Sequence, residues 1–426
     1  MEETFEPDEI VTCTPDRAAS GEEVETGGAA RVAVIGAGIA GLRVASRLED
    51  AGLHVTILES QKRVGGRALT VTGKLSEGLL GQAGPARFLS SCTRVLRLTQ
   101  KLGIPIEPFY PTRGAFAAYR GDERIADYRP GPDDFWGYDA ARDLERHLSP
   151  RRWIGEHVVH PLRRALGQST GFTFQIAGGT GRMADALASR LRATIWFGTS
   201  AQAVTQVPGG VRVDFTTEDG ENGSAMFDYI VCAIPLSQIP SITFSPPLGD
   251  EKTKVARSTP FASAIRIFLE MRRPYWRDTG FNGFALVDTL GEIWDPHWAE
   301  AREPALLVCY AQSALSREIG GLNERDRIAF AIQQVERVFP GAAEHFVRGT
   351  SFFWDAQSWI GGGWPQLRGG HEDRGAVFDS PEGQIFFAGD YICAEWLNTI
   401  EGTLESADRA AEALCRVARG SPVIRR

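Results

Sequence analysis

The chain has 426 residues with 54 acidic and 46 basic side chains, and its 43% hydrophobic content is that of a globular protein long enough for two intertwined domains. Residues 1–30 hold nine of the acids and one base, Arg17, so the remainder balances at 45 against 45 (54 − 9 and 46 − 1) and the whole net charge of −8 sits in this segment. That distribution predicts a disordered acidic tail on a neutral body and argues against a nucleic-acid surface.

The same thirty residues lack the basic start and apolar core of a signal peptide, and no apolar run is long enough to span a bilayer. A cytoplasmic protein with no membrane association is the expectation. Six cysteines (Cys13, Cys92, Cys232, Cys309, Cys393, Cys415) are scattered without a Cys-x-x-Cys pair, so they read as reduced and structural. His157 and His160 can share one helical face, but no further Cys or His cluster completes a ligand set, and no metal is predicted.

Arg31-Val32-Ala33-Val34-Ile35 reads as a buried parallel strand that runs into Gly36-Ala37-Gly38-Ile39-Ala40-Gly41. Three glycines at this spacing allow a tight turn and close approach of backbone to a pyrophosphate, with the next helix starting on those phosphates. Glu59 closes a second strand, His54–Leu58, where a carboxylate can accept hydrogen bonds from a ribose. These features point to a dinucleotide and leave NAD and FAD both open. Arg94 to Leu102 reads as an amphipathic helix ended by Gly103, and the Pro-, Gly- and aromatic-rich stretch from Tyr110 to Trp136 leads into a helical pattern around Asp139–Leu166. Gly178-Gly179-Thr180-Gly181-Arg182-Met183 opens another helix. Strand patterns follow at Val204–Val207, Val211–Thr216, Asp228–Ile234, Ile265–Leu269 and Leu306–Tyr310. Glu324–Phe339 reads as a helix stopped by Pro340-Gly341, and the chain closes with a strand Gln384–Ala388 and a helix from Glu401 to Val417.

Arg63-Val64-Gly65-Gly66-Arg67 resembles the arginine-and-double-glycine segment of the FAD-dependent amine oxidase superfamily, and the resemblance runs with gaps from Arg31 to about Leu414. It implies FAD and an α/β, two-domain fold. A glutathione-reductase-like FAD-binding domain with a parallel sheet would comprise 31–104, 170–262 and 376–420. An inserted substrate domain would comprise 105–169 and 263–375. The cofactor contacts that the resemblance implies are Gly36, Gly38, Ile39, Ala40, Gly41, Glu59, Ser60, Gly66 and Arg67 in the first segments, with Val204 further on. Near the C-terminus, Phe386-Phe387-Ala388-Gly389-Asp390 resembles the segment whose carboxylate holds the ribityl chain. Thr399, Ile400 and Thr403 belong to the helix start that faces the flavin, where its amides and dipole would stabilise negative charge on reduced flavin.

Gly84-Pro85-Ala86-Arg87-Phe88 is similar to the segment of L-amino acid oxidases, among them the short tryptophan-oxidising type, in which the arginine pairs with the substrate carboxylate. Gly84 to Arg87 are also implied as cofactor contacts. Ile360-Gly361-Gly362-Gly363-Trp364 resembles the segment before the first cage aromatic, with Trp364 as a pocket wall. A cysteine precedes that aromatic in covalently flavinylated monoamine oxidases; Gly363 stands here, so non-covalent FAD is expected. The partner cage position is Thr399, so half of the aromatic cage is missing. Arg266 stands where the family places a lysine that holds a water near flavin N5. It either takes over oxygen activation, or leaves the enzyme to another acceptor, or contacts a substrate anion. The implied reaction is oxidation of the α-amino group of an L-amino acid to an imino acid, then a keto acid and ammonia, with oxygen converted to peroxide. An amine oxidase, dehydrogenase or desaturase acting on a non-amino-acid substrate, and a flavin-binding protein with lost or regulatory activity, remain as alternatives, and the oligomeric state is left open to a homodimer.

Overall fold

Short apolar runs that do not alternate in polarity belong in a sheet covered on both faces. In the computed structural model, which describes residues 29–120, 123–128, 173–300, 302–366 and 372–420, five of them form a parallel sheet. Arg31–Ile35 is central, with His54–Leu58 then Thr194–Trp196 on one side and Tyr229–Cys232 then Ile385–Phe387 on the other. Val32 and Val34 face the helices Ile39–Asp50 and Ile400–Ala418, while Ala33 and Ile35 face the opposite layer, as the two-residue repeat of a strand requires. That opposite layer is an antiparallel meander, Thr199–Val207, Gly210–Thr217 and Asn222–Phe227, extended by Thr243–Ser245.

A second sheet of seven strands has the order Phe346–Phe353, Ala264–Met271, Ala305–Gln312, Gly291–Trp294, Phe281–Val287, Ala115–Arg120, Glu123–Tyr128. Its strand Ala264–Met271 divides its side chains cleanly. Ile265, Ile267, Leu269 and Met271 join a core shared with the helix Glu324–Val338. Ala264 and Phe268 join another core, which reaches across to Leu69, Ala83 and Ala86 beside the parallel sheet. Arg266 occupies that second face by the same alternation, so a charged side chain is set between the two sheets.

The helix Thr93–Leu102 ends at Gly103 in the left-handed conformation, φ 71°, which a glycine adopts without strain. The predicted acidic tail up to residue 28, the helical pattern of 139–166, Cys13, His157 and His160 lie outside the described residues. The Pro-, Gly- and aromatic-rich stretch after Tyr110 supplies the paired strands Ala115–Arg120 and Glu123–Tyr128 to the seven-stranded sheet.

Candidate active site

A cavity of about 1350 Å³ runs between the two sheets. On its nucleotide side, the turn after the first strand exposes the start of the helix Ile39–Asp50, which has no side-chain cap and no acid in its first turn. Its free amides are therefore left for an anion. A Cβ on Gly38 would meet nothing within 4 Å, so the backbone here borders open space. A Cβ on Gly41 would lie 1.9 Å from the Gly36 carbonyl oxygen, so Gly41 serves the close contact of helix and turn and is not part of the cavity lining. Glu59, which lines the cavity, accepts from the backbone N–H of Ala37 at 2.7 Å and of Gln61 at 2.9 Å. Burial nevertheless pushes its carboxyl above the usual range, outweighing those two amides and the nearby Arg63. The segment Gly65-Gly66 docks on the first turn through a bond from Gly65 N–H to the Ala37 carbonyl, 2.8 Å.

Arg67 ties three segments together. Its guanidinium forms a bidentate pair with Asp390 at 2.6 and 2.8 Å and donates to the Gly363 carbonyl at 3.1 Å. Gly363 precedes Trp364, which lines the cavity from a short bridge to Ala262. Thr399, at the lip of the helix Ile400–Ala418, accepts from Gly402 N–H at 3.1 Å and donates to the Trp396 carbonyl at 2.7 Å. Its hydroxyl is the cap of that helix, which accounts for a threonine at a position expected to be aromatic.

The opposite side of the cavity carries two guanidinium groups. Arg87 forms a bidentate pair with Glu292, 2.7 and 2.8 Å, and also reaches the Tyr110 hydroxyl at 3.3 Å and lies over the Phe109 ring at 5.4 Å. Arg266, only 6% exposed, donates from Nη1 to the Gln82 carbonyl at 2.5 Å and lies against the rings of Tyr310 at 4.5 Å and Trp294 at 5.2 Å. Its Nε has no partner. Burial draws its pKa down to about 10, and the Tyr310 hydroxyl beside it is pushed up to about 12, again by burial. Trp354 closes the aromatic wall, its indole N–H held by the Ala83 carbonyl at 2.9 Å.

Of the residues singled out in the sequence, Gly36, Gly38, Ile39, Ala40, Glu59, Ser60, Gly66, Arg67, the run Gly84–Arg87, Arg266, Trp364, Gly389, Asp390, Thr399, Ile400 and Thr403 all line this cavity. Val204 does not. It is fully buried between the meander and the parallel sheet, paired in register with Val213, and is a core residue. Arg87, expected to pair with a substrate carboxylate, has Glu292 in its fork. Glu292 itself, with Tyr310 and Trp294, escaped the sequence reading. The signal was the Asp288-Thr289-Leu290-Gly291 turn between two apolar runs, with Gly291 at φ 93°.

A helix start with free amides, a buried carboxylate that lines the cavity and a glycine that borders open space fit a dinucleotide cofactor, opposite a polar, aromatic wall. The chain belongs to the family of flavin-containing amine oxidoreductases, whose model matches residues 39–156 and 152–415. FAD is accordingly its cofactor. It is 25% identical to a putative flavin-containing monoamine oxidase AofH of Mycobacterium tuberculosis, over 89% of this chain and 95% of that one. It is 23% identical to the flavin-dependent L-tryptophan oxidase RebO of Lentzea aerocolonigenes, over 90% and 98%. Among solved structures, cyclohexylamine oxidase from Brevibacterium oxydans superposes with a TM-score of 0.74 at 17% identity, covering 92% of this chain and all of that one. Putrescine oxidase bound to putrescine gives 0.71 at 20% identity, over 90% and 98%. Among the described residues no helix is long and apolar enough to cross a membrane, and no group of His, Cys, Asp or Glu side chains could hold a metal ion.

Proposed function

We propose that this enzyme oxidises the bond between the α-carbon and the nitrogen of an L-amino acid with a bulky apolar or aromatic side chain. The observation that carries the reading is the charge of the substrate wall: Arg87 and Arg266 stand against a single carboxylate, Glu292, among aromatic rings. One surplus positive charge on this wall, within a cavity whose whole lining has three arginines and five carboxylates, suits a substrate that brings its carboxylate to that wall and disfavours a second cation there. The same surplus lowers the pKa of an ammonium beside it, favouring the neutral amine whose lone pair assists loss of the α-hydrogen. Trp364, Trp294 and Tyr310 enclose the side chain and keep water from the reacting carbon. FAD, which the helix start at Ile39, Glu59, Arg67 and Asp390 would hold, would supply the two-electron acceptor, with oxygen as the final acceptor giving peroxide. The imino acid released hydrolyses to a keto acid and ammonia. The FAD is held non-covalently, because Gly363 offers no side chain for a bond.

A second reading, an amine without a carboxylate, is favoured by the occupied fork of Arg87. Anaerobic titration of the holoenzyme decides between them. L-amino acids should bleach the flavin absorbance and their decarboxylated amines should not; bleaching by the amines alone would overturn the amino-acid reading.

A further inference from the structure

The amino-acid reading leaves open which cation receives the carboxylate, and the two arginines of the wall are not equivalent. Arg87 has Glu292 on both terminal nitrogens, and the Glu292 side chain is only 12% exposed. A substrate carboxylate arriving there would have to expel another carboxylate and leave it buried without its partner, which is costly. Arg266 presents the opposite case. No carboxylate among the described residues pairs with it, one nitrogen is satisfied by the Gln82 carbonyl, and its buried Nε has no acceptor. The faces of Trp294 and Tyr310 restore only part of the hydration that burial removes from a guanidinium. A buried cation whose nearest acidic neighbours are the Tyr310 hydroxyl and a Glu292 already paired with Arg87 is costly until an anion joins it.

The strand explains how it stays there. Arg266 is flanked along Ala264–Met271 by Ile265 and Ile267, which are locked in the opposite core, so the alternation cannot turn Arg266 out to solvent. On the next strand Tyr310 is its direct register partner, and Glu292 is in turn the partner of Tyr310. Arg266, Tyr310 and Glu292 thus form a row across three strands, with the Arg87–Glu292 pair at its end.

We propose that Arg266 is the receptor for the substrate carboxylate, and that the Arg87–Glu292 pair is a fixed neutral wall that bounds the pocket. This assignment rests on the amino-acid reading and refines it. It makes Arg266, rather than the arginine of the Gly84–Phe88 segment, the residue that separates amino acids from amines.

The test compares phenylacetate with its neutral isostere phenylacetamide, each titrated into FAD-loaded enzyme and read from the flavin spectrum. Wild type should prefer the carboxylate by about 10- to 100-fold, the range of a charge-assisted hydrogen bond. Arg266→Gln should abolish the preference. The double variant Arg87→Met with Glu292→Gln, which removes the pair together, should keep it. A preference that survives Arg266→Gln and disappears in the double variant overturns the assignment in favour of Arg87. Absence of any preference in wild type, where amino acids nevertheless bleach the flavin, overturns it while the amino-acid reading stands. Bleaching by amines alone removes both. If Arg266→Gln does not fold, Arg266→Lys keeps the buried charge but loses the fork, and should lower the preference by about threefold or more at unchanged FAD content; no drop overturns the proposal.

Discussion

Two glycines six and three residues past the end of the first strand perform different tasks, and a single methyl group separates them. At Gly41 an added Cβ would collide with the Gly36 carbonyl oxygen at 1.9 Å, a backbone contact that no rotamer relieves. At Gly38 the same methyl meets no protein atom within 4 Å and projects into the cavity where the helix amides are free. Gly41→Ala should therefore abolish the folded protein, or reduce its stability severely, with or without cofactor. Gly38→Ala should cost the apoprotein only about 0.5–1 kcal/mol, the penalty of alanine as a helix cap, but weaken FAD binding by tenfold or more. Thermal unfolding of the apoprotein and fluorescence titration with FAD measure the two effects separately. Normal FAD affinity in Gly38→Ala would show that the cofactor does not approach the turn closely.

At the scale of elements, the helix Thr93–Leu102 has no cap of its own: Cys92 precedes it and makes no side-chain bond. Glu401, 1% exposed in the first turn of the helix Ile400–Ala418, supplies one across the interface, accepting from the backbone N–H groups of Arg94 and Val95 at 3.0 Å each. Glu401→Ala strands both amides out of reach of water and should cost about 2–3 kcal/mol. The neighbouring Glu405, whose partners Arg94 and Arg409 are more than a third exposed, should cost about 1 kcal/mol or less as Glu405→Ala. Urea midpoints at unchanged m-value test this contrast, and equal losses would show that the cross-helix cap contributes nothing special.

The run Arg31–Ile35, the glycine turn and Glu59 were legible because short-range chemistry dictates them, and the helix Glu324–Val338 because its apolar positions recur at helical spacing. The hairpin Phe281–Val287 and Gly291–Trp294 was not, since strands buried on both faces lack alternation, and Glu292 was lost with it. Arg266 could be placed on a strand, but its row with Tyr310 and Glu292 depends on register between segments some 20 to 40 residues apart, which no local pattern encodes. Val204 is the reverse case: a family position was carried over, and its β-branched side chain packs in the core between two layers.

For the molecule as a whole, the cavity is lined by segments of both sheets, and the core around Phe268, Leu69 and Ala86 spans the gap between them. A ligand filling such a cleft adds contacts to both sides, so cofactor binding and global stability should be linked. Gly363 provides no attachment, and Cys92, the cysteine among the described residues that lines the cavity, has its thiol pushed up to about 12 by burial, so neither offers a thiolate to bond the flavin. FAD should therefore leave on acid precipitation and appear in the supernatant. The apoprotein should regain stability as FAD is returned, by about 1.4 kcal/mol for each tenfold rise in free FAD above the dissociation constant. A melting temperature that climbs with the logarithm of FAD concentration, alongside a colourless acid pellet, is the expected pair of results. Flavin retained in the pellet would establish a covalent bond, and an apoprotein whose melting ignores FAD would mean that the cavity between the sheets is not where the dinucleotide is held.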